Sequence, residues 1–433
     1  MTPELLIVTI AAVACAIKSL IALNTFGTND VIAFYQFGQS LSHQGLEKTY
    51  TSTIAFNHPP LVAHYLKLIY ELSQRPALRE SGITFPFLLR LPGILADFVS
   101  VLVLLRIRKT MPNLGLPFWA LALFALSPVA IMVSGFHGNT DPIMVMFLLL
   151  GAYACARERP LVCGLFFALS FQIKIIPLLL LPILFFFWLH RRSLWRFLLP
   201  LICASLVLWS EPLLKFPTLF FHNVLSYGSF WGLWGITYFL NLTGWTEFGR
   251  VTYVNFTPAQ MVVGTLLKLL IVAVVVAIGW RRRALPAPAV FGSVAYAWIV
   301  FFVFSPGVCA QYMVWLVPFV LLLSPMLYGY LELTSSLFLF FFYNAIADSF
   351  PWYVGISDGR HNADWIPWSI WPWAILIAGL ITLWRGATRR DASLRLISLA
   401  TVDPSIGQAD LAGRRKPVDL DRVGLQPALR TVL

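Results

Sequence analysis

Residues 160–192 read PLVCGLFFALSFQIKIIPLLLLPILFFFWLHRR, and how this run is divided decides the topology of the chain. A transmembrane helix needs about 20 apolar residues. As one helix the run is too long. It would also place Arg191, Arg192 and Arg196 across a membrane from the other basic clusters. Two short helices meeting near Lys174 remove both difficulties. Outward from this run, apolar stretches predict helices near 5–23, 84–106, 116–134, 142–156, 196–213, 257–280, 286–304, 311–325, 332–347 and 366–384. The fold class is therefore an all-α polytopic membrane protein of about 12 transmembrane helices, with both ends on one side.

Charge sets the orientation. Short loops on one side carry Arg106, Arg108 and Lys109; Arg157 and Arg159; Arg191, Arg192 and Arg196; Arg281 to Arg283; and Arg385, Arg389 and Arg390. The longer loops opposite carry fewer basic residues, so the first side reads as cytoplasmic. The net charge of +12 follows the same rule and does not imply a nucleic-acid partner. Of 433 residues, 59% are hydrophobic and 12% charged, against about 25% charged in soluble domains. Mean hydropathy is +0.78. These values exclude a soluble enzyme, a disordered protein and a disulfide-stapled module. The five cysteines show no metal or disulfide spacing. Glu4, with no basic residue beside it, argues against a cleaved signal and for a retained first helix. Residues 1–384 form the expected membrane domain, and 385–433 an expected cytoplasmic, disordered tail.

The external side then owns 24–83, 135–141, the turn near 174, 214–256, 305–310 and 348–365. Within it, 61–74 carries a polar stripe of His64, Lys67, Glu71 and Gln74 against an apolar face of Leu61, Tyr65, Leu68, Ile69 and Leu72. That pattern predicts a helix lying in the membrane interface, and 31–43 repeats it more weakly.

Most unusual polar residues fall on this one side: Asp30, His58, His137 to Asp141, Gln172 and Lys174, Gln311, and Asp358, Arg360 and His361. Asp30 suits a general base, or a ligand for a metal or acceptor hydroxyl; as a helix N-cap it would be structural. Lys174, inside an apolar run, suits neutralisation of an anion or snorkelling to the interface. Lys268 is expected to face the same cavity. Arg90 and Asp97, seven residues apart on one helix, suggest an ion pair or a helix–helix bond. No P-loop, Rossmann glycine pattern, HExxH or nucleophile elbow occurs.

In order, these elements resemble the GT-C class of integral-membrane glycosyltransferases, and within it bacterial relatives of the second mannosyltransferase of GPI-anchor synthesis. The resemblance runs through Asp30; Pro59, Pro60 and Leu61; Arg90 to Asp97; Leu126 to Pro128; Gly135 to Asp141; Gln172 to Pro177; and Gln311, Tyr312, Trp315 and Pro318. It departs at His137-Gly138-Asn139, where relatives often carry Trp-Gly-Gln. The resemblance implies a polyprenyl-phosphate sugar donor, with mannose the first candidate, and a lipid or glycan acceptor. Asp30 would be the base of an inverting attack, and Lys174 and His137 would take the donor phosphate. His58, Asn139, Asp141, Gln311 and Trp231 would bind substrate, with Trp231 and Trp234 either stacking on sugar or anchoring in the interface. No cofactor is implied, and a divalent metal stays open. A bacterial plasma membrane with the site facing the periplasm is the expected setting. The rival class is a transporter or lipid-linked-sugar flippase, which would usually show inverted repeats and midplane polar sites.

Overall fold

The computed structural model describes residues 2–53, 56–225, 230–253, 255–347 and 364–382. Asp358, Arg360, His361 and the segment from 383 onward lie outside the described residues. Residues Met1–Gly379 form one compact unit; of the second, which begins at Leu380, residues 380–382 are described.

Among the described residues the chain is helical, with one isolated backbone bridge between Trp231 and Thr252. Five helices among the described residues are long and apolar enough to cross a membrane: α1 (Pro3–Asn24), α4 (Phe85–Thr110), α5 (the continuous segment Phe118–His137), α10 (Pro258–Arg282) and α13 (Pro325–Ile346). Seven shorter apolar segments accompany them, among them α6 (Asp141–Ala156), α7 (Pro160–Ile173), α9 (Leu194–Leu208) and α11 (Ala289–Phe304). The all-α polytopic membrane class is thus met.

Local chemistry places the ends. Thr2 caps α1 by accepting from the Leu5 amide, and Pro3 opens the helix where no amide is needed. Thr257 and Gln260 cap α10 reciprocally, and Arg281 and Arg282 close it where cations suit the helix dipole. The run quoted above divides as its sequence predicts. α7 ends at Lys174, whose backbone is extended (φ −152°, ψ 134°). A 3₁₀ turn (Ile176–Leu180) then leads into α8 (Leu181–His190). A Cβ on Gly164 would lie 2.1 Å from the Phe197 carbonyl, so α7 and α9 pack backbone to backbone there.

Between α1 and α4 lie two longer helices and the short helix Pro76–Glu80, none of them among the apolar spans. α2 (Asn29–Ser52) kinks at Gly45, where φ is 81°, and α3 (Pro60–Ser73) follows. The polar stripe of α3 is exposed as expected, but its buried face is Val62, Ala63, Leu66, Ile69, Tyr70 and Ser73, and Leu68 stays 54% exposed. The face is fixed by simultaneous packing on α2, α4 and α7, which a single-helix pattern does not encode. Lys268 stands exposed on α10 rather than in a cavity.

Candidate functional site

The polar residues converge because two buried cations pin the backbone around them. Arg90, 1% exposed on α4, donates to the carbonyls of Ala22, Thr25, Phe26 and Gly135 and to the Thr25 hydroxyl. Its donors thus fasten the end of α1 to the π-helix Ile131–His137. Carbonyl oxygens gathered around a buried guanidinium offset its desolvation. On the other side of the π-helix, Lys18 of α1 pairs with Asp97 at 2.5 Å, and Asp97 accepts from the Ser134 hydroxyl at 2.6 Å. Arg90 and Asp97 therefore bond other helices, not each other. Gly27 and Gly138, at φ of 104° and 84°, permit the close approach: a Cβ at Gly138 would lie 2.5 Å from Val31 Cγ2.

Thr28 joins the two loops. Its hydroxyl donates to the His137 carbonyl at 2.9 Å and accepts from the Asp30 amide at 3.3 Å, capping α2. Thr28 is the N-cap of α2, so the N-cap reading of Asp30 is not met: Asp30 sits in the first turn with its carboxylate directed at other side chains. Its Oδ2 lies 2.9 Å from His137 Nε2 and accepts from the Gln311 amide at 3.3 Å. His137 Nδ1 lies 3.0 Å from the Tyr343 hydroxyl. The His137 side chain is 4% exposed, whereas Asp30 keeps 43% of its side chain open. The carboxylate is thus partly open, with Oδ1 receiving no hydrogen bond among the described residues.

A second group adjoins the first through the same loops. Lys174 Nζ lies 2.7 Å from Asp141 Oδ1, and Asn139 donates to Asp141 Oδ2 at 3.2 Å while accepting from the Asp141 amide at 3.1 Å. The Lys174 ammonium stands 4.4 Å from the Tyr312 ring centre and 5.0 Å from that of Trp315, and these two rings stack at 3.9 Å. His58 lies against Phe34 at 5.2 Å, and its carbonyl accepts from Tyr50.

Electrostatics couple the groups. Burial works to raise the Asp30 carboxyl, but His137, with Lys174 and His58 beyond it, holds it below the usual carboxylate range. Burial pushes His58 down to about 3, aided by Lys174 and opposed by Asp30. His58 is therefore neutral at ordinary pH, a hydrogen-bonding group rather than a charge.

The sequence-selected residues Asp30, His137 and Gln311 thus meet in one cluster, Asn139, Asp141 and Lys174 in its neighbour, and His58 stands within electrostatic reach of Asp30. Trp231 does not join them. It is 1% exposed, its Nε1 donates to the Phe248 carbonyl at 3.2 Å, and Trp234 is 0% exposed and bonded to the Phe302 carbonyl. Both indoles are turned into protein, so neither is an open sugar platform. Gln172 is fully buried, and neither of its amide atoms has a hydrogen-bond partner among the described residues. Among the described residues no three His, Cys, Asp or Glu side chains group as a metal site. Sequence reasoning missed Tyr343, Lys18 and Glu332; the last is 2% exposed and takes the Ser127 hydroxyl at 2.5 Å. Their one signal is a polar side chain embedded in an apolar run.

The family model of Glycosyltransferase family 87 matches residues 86–306, just over half of the chain. The chain belongs to glycosyltransferase family 87. Arg90, Asp97, the His137–Asp141 loop and Lys174 lie inside the matched stretch; Asp30, His58, Gln311 and Tyr343 lie outside it. The family 87 chain is also 26% identical over 107 residues to GPI mannosyltransferase 1 of Kluyveromyces lactis, a stretch that is 24% of this chain and 26% of that protein. It thus spans about a quarter of the length of the curated relative that it matches. The GT-C resemblance is met at this level: the chain belongs to a family of glycosyltransferases and carries the apolar helices of a membrane protein.

Proposed function

We propose that this family 87 enzyme moves a sugar, mannose as first candidate, from a polyprenyl-phosphate donor to a hydroxyl of a lipid or glycan acceptor. The reaction runs with inversion at the external face of a bacterial plasma membrane, and both chain ends are cytoplasmic. The observation that carries the reading is the Asp30 carboxylate: held ionised, bonded on Oδ2 by His137 and Gln311, and open on Oδ1.

In this reading Asp30 Oδ1 takes the acceptor hydroxyl proton as that oxygen attacks the anomeric carbon. The bond from that carbon to the lipid phosphate breaks, and the phosphate leaves with the electron pair. Proton transfer of this kind contributes about 10²–10⁴-fold. Lys174 is the donor-phosphate group, with Asp141 holding its ammonium over the Tyr312 and Trp315 rings until the donor arrives. Its charge is thus shared, and Asn139 orients the sharing carboxylate. The geometry supports a different role for His137 from phosphate binding: it serves Asp30. His58 and Gln311 line the approach as neutral donors and acceptors for sugar hydroxyls.

The test is transfer by purified protein in liposomes, with labelled polyprenyl-phosphate mannose, glucose and arabinose and a membrane lipid extract as acceptor source. Product is expected from one donor, with the anomeric configuration opposite to the donor's and with equal rate in EDTA. Retained configuration would overturn the displacement mechanism. Movement of intact donor across the bilayer without transfer would favour a flippase.

A further inference from the structure

The two ring nitrogens of His137 face different partners, Asp30 Oδ2 at 2.9 Å and the Tyr343 hydroxyl at 3.0 Å. A neutral imidazole has one donor nitrogen and one acceptor nitrogen. With Asp30 ionised, a lone pair on the nitrogen that faces it would oppose a carboxylate oxygen, so the arrangement that serves both partners at once puts the hydrogen on Nε2. Nδ1 is then the acceptor and requires a donor. Tyr343 sits on α13 at 0% exposure, its ring edge-on to Phe136 at 5.4 Å and to His137 at 5.7 Å, so packing fixes its approach.

We propose that Tyr343 is a positioning residue: its hydroxyl donates to Nδ1 and locks His137 in the Nε2–H tautomer, so that the ring always gives a hydrogen to Asp30 Oδ2 and leaves Oδ1 as the base. The catalytic half of this inference rests on the function proposed above; the tautomer does not. A wrongly protonated imidazole beside a carboxylate is enough to disable a catalytic site. The ionisable groups around the pair are Lys174 at the end of α7, His58 ahead of α3, Asp141 on α6, Cys309 and Tyr312 ahead of the segment 317–323, and Arg90 on α4. All remain in place when only the Tyr343 hydroxyl is removed.

The experiment uses the full chain in nanodiscs with ¹⁵N-labelled histidine, the His137 signals assigned by their loss in His137→Gln. Wild type is expected to show the Nε2–H tautomer, and Tyr343→Phe the Nδ1–H form or a mixture. Wild-type His137 as the Nδ1–H tautomer would overturn the proposal whatever the variant does, and so would an unchanged tautomer in a folded Tyr343→Phe. In transfer assays Tyr343→Phe is expected to lower kcat by about tenfold, the worth of one such bond, with the donor KM unchanged. The acid limb of its pH profile should move upward, because a carboxylate that loses a donor to its charged form binds protons more readily. In the His137→Gln background, removing the Tyr343 hydroxyl should shift neither quantity further, and a further upward shift of the limb there would contradict the proposal. A tautomer switch in a protein that transfers no sugar would leave this inference standing and remove the proposed reaction.

Discussion

His58 shows how a residue's role depends on where its charge goes. It is held neutral down to about pH 3 by burial and by Lys174, whereas in the unfolded chain it titrates near its usual value of about 6.5. Between those values the unfolded state binds the extra proton, so this residue makes stability fall as pH drops from about 6.5 toward 3. His58→Gln, which carries no charge in either state, should flatten the dependence of the unfolding midpoint on pH across that window. An unchanged slope would show that His58 is not buried neutral. Asp30 has the same sign in a more acidic window: its depressed carboxyl contributes stability above the usual carboxylate range, and that contribution goes as pH falls through its lowered value. At this scale the sequence was legible wherever an apolar run broke. Asp30, His137, Asp141, Lys174 and Gln311 stand at such breaks, and the fold gathers them. What could not be read was pairing. Lys174 looks like a spare cation in sequence, but its partner Asp141 is 33 residues away. Tyr343 reaches His137 across 206 residues.

The element that organises the site is the π-helix Ile131–His137, gripped by Arg90 at Gly135 and by Asp97 at Ser134. π-Turns recur at functional sites because the widened turn re-aims a side chain, and here that side chain is His137. Removing one partner of a buried ion pair leaves the other uncompensated, at a cost of about 3–5 kcal/mol. Asp97→Asn should therefore destabilise the protein by about that much by leaving the Lys18 charge, 2% exposed, without its carboxylate. Lys18→Met combined with Asp97→Leu should recover most of the loss. The check is thermal unfolding of the three proteins in one detergent. Equal midpoints for Asp97→Asn and wild type would show that the pair does not hold the π-helix against α1. The division at Lys174 was readable because the excess length of the run and the placement of Arg191, Arg192 and Arg196 both require a break, and Lys174 marks it. The π-helix was not, since the residues around it look like an ordinary apolar span. The polar stripe of α3 was readable too, but its buried face depends on three neighbours that sequence spacing cannot locate.

For the whole molecule, hydropathy alone gives the class: twelve expected spans correspond to five long and seven shorter apolar helical segments among the described residues. Orientation rests on the arginine-rich loops, and it separates two exposed positions, His64 on α3 and Arg192 after α8. In a cysteine-free background, a cysteine at 64 should react with an impermeant maleimide added to intact cells, and a cysteine at 192 should react after lysis alone. The reverse pattern would put the Asp30 cluster on the cytoplasmic side. The central claim remains that an ionised, half-open Asp30 accepts the proton of the attacking hydroxyl. Its most direct test is single-turnover transfer by wild type and by Asp30→Asn, at saturating donor and with matched fold by circular dichroism. Asn keeps the shape and can still accept from His137, but it cannot take a proton. The rate is expected to fall by about 10²–10⁴ with donor binding retained, and a rate within a few-fold of wild type would place the base elsewhere.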